Sequence, residues 1–177
     1  MLQDRDGVFW FGTGWFFMHE AGITQLNHGS WSDLVPAHGQ GHAWSFLQDR
    51  QGDIWVAYES QGIVRYNGED WFRYTTADGV SADEVYDLME DARGTLWAAT
   101  RSGVCRYRGD RWESVDAVEG LSTERVNALY QSRDGHVWAA TTSGLCRYDG
   151  SSFRTFDTEH GLVSDRVTYL LPDSGGG

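Results

Sequence analysis

The stretch DARGTLWAATRSGVCRYRGDRWESV, residues 91–115, decides the fold. It holds three short runs rich in branched and aromatic residues: TLWAAT, GVCRY and the run around Trp112. Gly and Asp turn signals part them, and no helical periodicity extends beyond a turn or two, so the pattern reads as consecutive antiparallel strands. A fourth apolar run, VYDLMED, ends at residue 91 and leads into the stretch.

The same four runs recur along the chain. GTLWAAT (94–100) aligns with GVFWFGT (7–13), GDIWVAY (52–58) and GHVWAAT (135–141), and the tryptophans Trp10, Trp55, Trp97 and Trp138 are spaced by 45, 42 and 41 residues. GVCRY (103–107) aligns with GITQL (22–26), GIVRY (62–66) and GLCRY (144–148). Trp112 falls in register with Trp31, Trp71 and Phe153, and VYDLMED with AWSFLQD, VNALYQS and VTYLLPD. Four strands in each period of about 41–45 residues is the signature of a propeller blade. The fold class is therefore all-β: a β-propeller array over 1–177, each blade having four antiparallel strands a to d with a innermost. Blade two is expected at 42–76, blade three at 84–117 and blade four at 125–158. Blade one has strands b to d at 7–35, and its inner strand is expected from 166–171. That exchange closes a four-bladed ring within one chain or an eight-bladed ring between two. The turn signal of QDRDG returns in PDSGGG, so a slice of a longer array is the third arrangement.

The pattern D-x-x-G-x-(L/V/I)-W-x-x-T, then G-(V/L)-x-R-Y, an aromatic strand and G-L-S-x-x-x-V resembles the two-component regulator propeller repeat of hybrid histidine kinase sensor regions. The resemblance covers essentially the whole chain and is carried well by repeats two to four. Repeat one departs from it, with Gln25 and Leu26 in place of Arg-Tyr and an insertion over 13–21. The resemblance implies a ligand-sensing propeller outside the cytoplasm, periplasmic or extracellular, often reading carbohydrate fragments.

Composition narrows the function from another side. Twenty-five aromatic residues, 22 Gly and only two Pro fit a turn-rich, strand-rich globule. All 14 basic residues are Arg and none is Lys, which removes Schiff-base chemistry and the phosphate-binding P-loop. A formal charge of -12 speaks against nucleic acid as a partner. No apolar stretch approaches a membrane span, and MLQDRDG has neither a basic region nor an apolar signal core, so no membrane contact by this segment is expected. Cys105 and Cys146 hold one repeat position, where blade two has Val64, and read as small buried residues. The DRDG, DRQG, DARG and SRDG runs read as hairpin turns, lacking the ligand spacing of a calcium loop. No G-x-S-x-G, H-E-x-x-H, C-x-x-C or G-x-G-x-x-G motif occurs, and no catalytic residue, metal or cofactor is assigned.

Candidate binding residues gather on one face, where the d-to-a and b-to-c connections emerge. Trp15, Phe17 and His19 lie in the b-to-c insertion, and exposed aromatics beside polar groups suit stacking on a sugar ring. His42, Glu84, Arg125 and Arg166 begin the inner strands and should line the channel mouth, a mixed-charge ring suited to a polar ligand or to mutual ion pairing. His38, Asp78, Glu119 and His160 share one position before a loop Gly and read as solvated turn residues. Arg65, Arg106 and Arg147 should stack or pair between blades. The leading expectation is a non-catalytic ligand-sensing module, for carbohydrate or another small polar ligand. Its rivals are an interaction or dimerisation module, and a polysaccharide hydrolase or lyase. Self-association as a homodimer, or contact with further propeller repeats of a parent chain, is the expected partnership.

Overall fold

The four repeats align position for position, and the computed structural model of the chain gives them one common cross-strand register. It describes residues 1–13, 22–34, 41–115, 120–121 and 124–171. Among the described residues sixteen strands form four antiparallel sheets, each in sequential order with strand a at one edge and strand d at the other. Blade one is β1 (Leu2–Gln3), β2 (Phe9–Thr13), β3 (Gly22–Asn27) and β4 (Ser30–Leu34); blade two is β5 (Ala43–Gln48), β6 (Ile54–Tyr58), β7 (Ile63–Tyr66) and β8 (Trp71–Tyr74). Blade three is β9 (Val85–Glu90), β10 (Leu96–Thr100), β11 (Gly103–Arg108) and β12 (Arg111–Val115). Blade four is β13 (Val126–Gln131), β14 (Val137–Thr141), β15 (Gly144–Tyr148) and β16 (Phe153–Phe156). Leu2 pairs with Trp10 as Leu47 does with Trp55, Met89 with Trp97 and Tyr130 with Trp138.

Each a-to-b turn is locked by one side chain. Asp49 accepts from the Asp53 N–H (2.9 Å) through one carboxylate oxygen and from the Trp55 indole N–H (2.7 Å) through the other. Asp4 and Asp91 repeat the device on Trp10 and Trp97 at 2.8 and 2.9 Å, and Ser132 replaces it on Trp138 at 3.1 Å. The DRDG-type runs are therefore turns whose first residue orients the tryptophan of the following strand. That polar anchor lets an indole point into the next blade without burying an unpaired N–H.

Alternate residues of each b strand face opposite neighbours. Trp55 looks toward blade three, where Tyr107 (5.1 Å) and Trp112 (5.9 Å) meet it edge-on, while Ile54 and Val56 pack back on blade one with Val8, Trp10 and Ile23. Three apolar clusters fill the three seams one/two, two/three and three/four. Cys105 and Cys146 are buried free thiols in the last two of these, and burial pushes the Cys105 thiol up to about 12. The inner strands β5, β9 and β13 pack on one another, which places strand a at the centre of the array.

The inner strand of the first sheet is Leu2–Gln3, not 166–171. Residues 166–171 carry no strand and lie beside blade four, where the Val167 N–H donates to Thr141 C=O (2.9 Å) and Asn127 Nδ2 donates to Val167 C=O (2.7 Å). Leu2 and Gln3 pair with Trp10 and Phe9 alone, where the inner strands of the other three blades each make five such pairs.

Candidate functional site at the channel mouth

At the upper end of each inner strand one backbone bond repeats. The N–H groups of Glu59, Arg101 and Thr142 donate to the C=O groups of His42, Glu84 and Arg125 at 2.9, 3.0 and 3.2 Å. Just below, all three complete inner strands bulge. Pairing steps from Ala43 to Ser45, Val85 to Asp87 and Val126 to Ala128, dropping Trp44, Tyr86 and Asn127 out of the ladder. A bulge re-aims the side chain it carries.

The three released side chains join across blades. His42 and Trp44 rings lie 6.2 Å apart, and Trp44 meets Tyr86 edge-on at 6.3 Å. The Arg125 guanidinium sits 4.0 Å over the Tyr86 ring, and its Nε donates to Asn127 Oδ1 at 2.9 Å. The Asn127 bond to Val167 extends the row to 166–171. Trp44 is 54% exposed, so one large aromatic surface stays open to solvent beside a cation and two amide or imidazole groups. Beneath them the Asp87 carboxylate accepts from Ser45 Oγ (3.0 Å) in blade two and Leu129 N–H (2.9 Å) in blade four, fixing three inner strands together. Burial holds the Asp87 carboxyl above its ordinary range despite those bonds.

The structure brings His42 and Arg125 into this row and treats the other expected residues differently. Glu84 turns to Arg101 of its own blade at 2.9 Å, so pairing is not with Arg125 across the mouth. Arg166 is exposed, and its backbone N–H donates to Ser164 Oγ at 3.2 Å. Trp15, Phe17 and His19, and also His38 and Glu119, lie outside the described residues. Asp78 accepts from the Thr75 N–H (2.9 Å), and His160 contacts Asp157 (2.8 Å), each within its own loop turn. Arg65 pairs with Asp53 at 2.6 Å beside Trp55, and Arg147 lies over Trp138 and Phe156. Among the described residues no cluster of three or more His, Cys, Asp or Glu is placed to hold a metal.

Trp44 and Tyr86 escaped the sequence reading. The signal was present, because two aromatics share the inner-strand position where blade four has Asn127, and an inner strand has only the channel beside it.

The two component regulator propeller family matches residues 79–102 and 120–143. No curated protein matches the sequence. Among solved structures, the extracellular domain assigned to the hybrid two component system BT3049 of B. thetaiotaomicron superposes with a TM-score of 0.80 at 19% identity, covering 99% of this chain and 25% of that one. PorZ, a surface component of the type-IX secretion system of Porphyromonas gingivalis, gives 0.71 at 16% identity, with 96% and 28% covered. Virginiamycin B lyase from Staphylococcus aureus gives 0.66 at 16% identity, with 88% and 53% covered. The chain thus spans about a quarter of the length of the two-component domain it resembles. No described helix is long and apolar enough to cross a membrane. At these identities the superpositions speak to fold, a fold that sensor, secretion and lyase proteins share. With the same register in all four sheets, this is a β-propeller array whose residues 79–102 and 120–143 match the two component regulator propeller repeat.

Proposed function

We propose that the chain is a non-catalytic ligand-sensing module, working outside the cytoplasm as part of a two-component sensor, that binds carbohydrate or another small polar ligand at the upper channel mouth. The observation that carries this reading is the row His42, Trp44, Tyr86, Arg125 and Asn127, which offers an open indole face with hydrogen-bonding groups along one line. A pyranose ring presents C–H groups on one face and hydroxyls at its edge, the complement of that row. Trp15, Phe17 and His19, together with Glu84 and Arg166, are assigned to the rim of the same site.

The test is a thermal-shift screen of neutral and acidic oligosaccharides, followed by calorimetry on each binder. Trp44→Ala and Arg125→Ala should each weaken binding by at least ~10-fold, the loss of ~1.4 kcal/mol of contact, with the melting temperature of the free protein nearly unchanged. A binder whose affinity survives both substitutions would remove the site. Release of product from any oligosaccharide, abolished by one Asp or Glu substitution, would overturn the non-catalytic reading.

A second reading, an interaction module, is favoured by a different observation. Blade four presents a cleft of about 410 Å³ lined by Tyr130, Trp138, Leu145, Leu170 and Leu171, and blade one presents Trp31, 64% exposed. These are the two kinds of face that meet in each of the three seams. Light scattering across a dilution series separates the readings: a dimer that no ligand stabilises favours assembly.

A further inference from the structure

Every seam is built from the same two halves. The tryptophan of strand b projects forward and meets a tyrosine of strand c in the next blade: Trp10 with Tyr66 at 5.9 Å, Trp55 with Tyr107 at 5.1 Å and Trp97 with Tyr148 at 5.4 Å. At the lower edge a backbone N–H of one a-to-b turn donates to the last side chain of the following inner strand. Arg5 donates to Gln48 Oε1 (2.8 Å), Arg50 to Glu90 Oε2 (3.0 Å) and Ala92 to Gln131 Oε1 (2.6 Å). In the first seam the Arg5 guanidinium also reaches Arg50 C=O at 3.2 Å.

Each end of the array holds one of these halves. Blade four has the forward half: Trp138 lines the cleft beside Leu170 and Leu171, and Arg133 holds the place of Arg5 and Arg50. The position where its acceptor would follow in this chain, 172, is Pro and offers no side-chain acceptor. Blade one has the receiving half. Gln3 ends its inner strand as Gln48 ends that of blade two, and the Leu26 and Trp31 pair stands where blade two has Tyr66 and Trp71. Phe9 and Phe11 hold the places of Ile54 and Val56, which pack back on the preceding blade, and Phe11 lies 5.7 Å from Trp31.

Exposed apolar side chains mark the same two places. Among the described residues these include Met1 and Trp31 at one end, and Val163, Tyr169 and Leu171 at the other. The backbone edges match as well. Phe11, Gly12 and Thr13 of β2 have no inner strand paired to them among the described residues. Residues 167–170, which carry no strand, align with Ala43 to Phe46, and those pair in blade two with Tyr58 to Val56, the equivalents of Thr13 to Phe11.

We propose that a second copy of this chain docks head to tail, its blade one seating on blade four as one more seam of the kind already made three times within the chain. In that seam the Arg133 N–H donates to Gln3 Oε1 and Trp138 packs on Leu26 and Trp31. Residues 167–170 of one copy continue Leu2–Gln3 of the other upward along Phe11, Gly12 and Thr13. A head-to-tail contact uses two different patches, so it closes a ring or extends a row. This deepens the interaction reading above and rests on it.

The test is sedimentation velocity over a dilution series on the wild type, on Trp31→Arg in the receiving half and on Leu171→Arg in the forward half. Both positions are exposed, 64% and 81%, so the melting temperature of the dilute protein should stay unchanged. The wild type should associate, and each variant should do so at least ~30-fold more weakly, the scale of losing an interface anchor. An equimolar mixture of the two variants should recover association, limited to one copy of each. In that pair the intact blade four of Trp31→Arg meets the intact blade one of Leu171→Arg, a recovery that a contact between one patch and its own copy cannot give. Gln3→Ala should weaken association about fivefold, as loss of one neutral hydrogen bond implies. Association that both variants leave intact, or a mixture that fails to recover it, would overturn this seam and keep an interaction module. A wild type that is monomeric at every concentration would remove both and leave the two faces to a further propeller repeat.

Discussion

Trp55 and Trp138 hold the same place in the same repeat, each anchored by its indole N–H to the first residue of the preceding turn. Trp55 is 1% exposed beneath the aromatic strands of blade three, while Trp138 is half-buried, its ring near Phe156 and Arg147 of its own sheet and open to the cleft beside Leu170 and Leu171. A blade therefore makes its own hairpins but not its own core. The apolar face of strand b is completed only by the sheet that follows, as expected of a repeat that cannot bury its hydrophobic side alone. The glycines report the same contrast. A Cβ on Gly79 would meet Trp112 C=O of the next blade at 2.0 Å and one on Gly120 would meet Phe153 C=O at 2.6 Å, whereas Gly161 has nothing within 4 Å.

Truncating the two tryptophans is the most severe way to break this comparison. Trp55→Ala should cost ~3–5 kcal/mol in urea unfolding, the range for a fully buried large aromatic. Trp138→Ala should cost ~1–2 kcal/mol, since much of the area it would lose is already in water. Equal losses would mean that the face around Trp138 is covered in solution, and the concentration dependence of the midpoint would then identify association as the cover.

The glycine pair sharpens the comparison at backbone level. Both Gly79 and Gly161 have positive φ, +92° and +106°, so alanine at either pays a left-handed penalty of ~1–2 kcal/mol. Only at Gly79 does the new methyl also collide with the backbone of a neighbouring sheet. Gly79→Ala should exceed Gly161→Ala by about 1 kcal/mol or more in unfolding free energy, a cost typical of forced overpacking. A smaller cost at Gly79 would show that the seam between blades two and three yields more readily than its packing implies.

Which of these features the sequence disclosed follows from their range. Strand register, the pairing of Leu47 with Trp55, and the common position of Cys105 and Cys146 depend on a repeat compared with itself, so alignment of four copies reveals them. The Asp49 anchor on Trp55 also lies within one repeat, and its recurrence could be read once a side-chain acceptor was sought. The row through Trp44, Tyr86 and Arg125 joins three blades at bulged positions, and bulges leave no mark in a binary pattern. The turn of Glu84 toward Arg101 likewise depends on which side chain reaches a neighbour first. His42 and Arg125 were legible because each heads an inner strand, a placement that topology alone supplies.

The smallest effect concerns a turn that two blades build from different residues. Asp149 begins the c-to-d turn of blade four, where the N–H groups of Ser152 and Ser151 and the Ser151 hydroxyl hold its carboxyl down to about 2 from 3.8. Asn67 does the same work in blade two, accepting from Glu69 and Asp70 N–H at 3.0 and 2.7 Å without a titratable group. A carboxyl lowered on folding contributes stability that is complete above its unfolded value and is lost as pH falls through its folded one. The stability from Asp149 should therefore be present above about 4 and decline toward about 2. Asp149→Asn transplants the residue of blade two, so it should keep the turn and flatten that part of the profile. Asp134, also held down to about 2, leaves a residual slope common to both proteins, and the difference between the two unfolding curves isolates Asp149. An advantage of the wild type over Asp149→Asn that instead shrank with rising pH would reverse the sign and place the carboxylate among repelling charges. The single-sign field expected of a chain at -12 would then outweigh the local bonds of the turn.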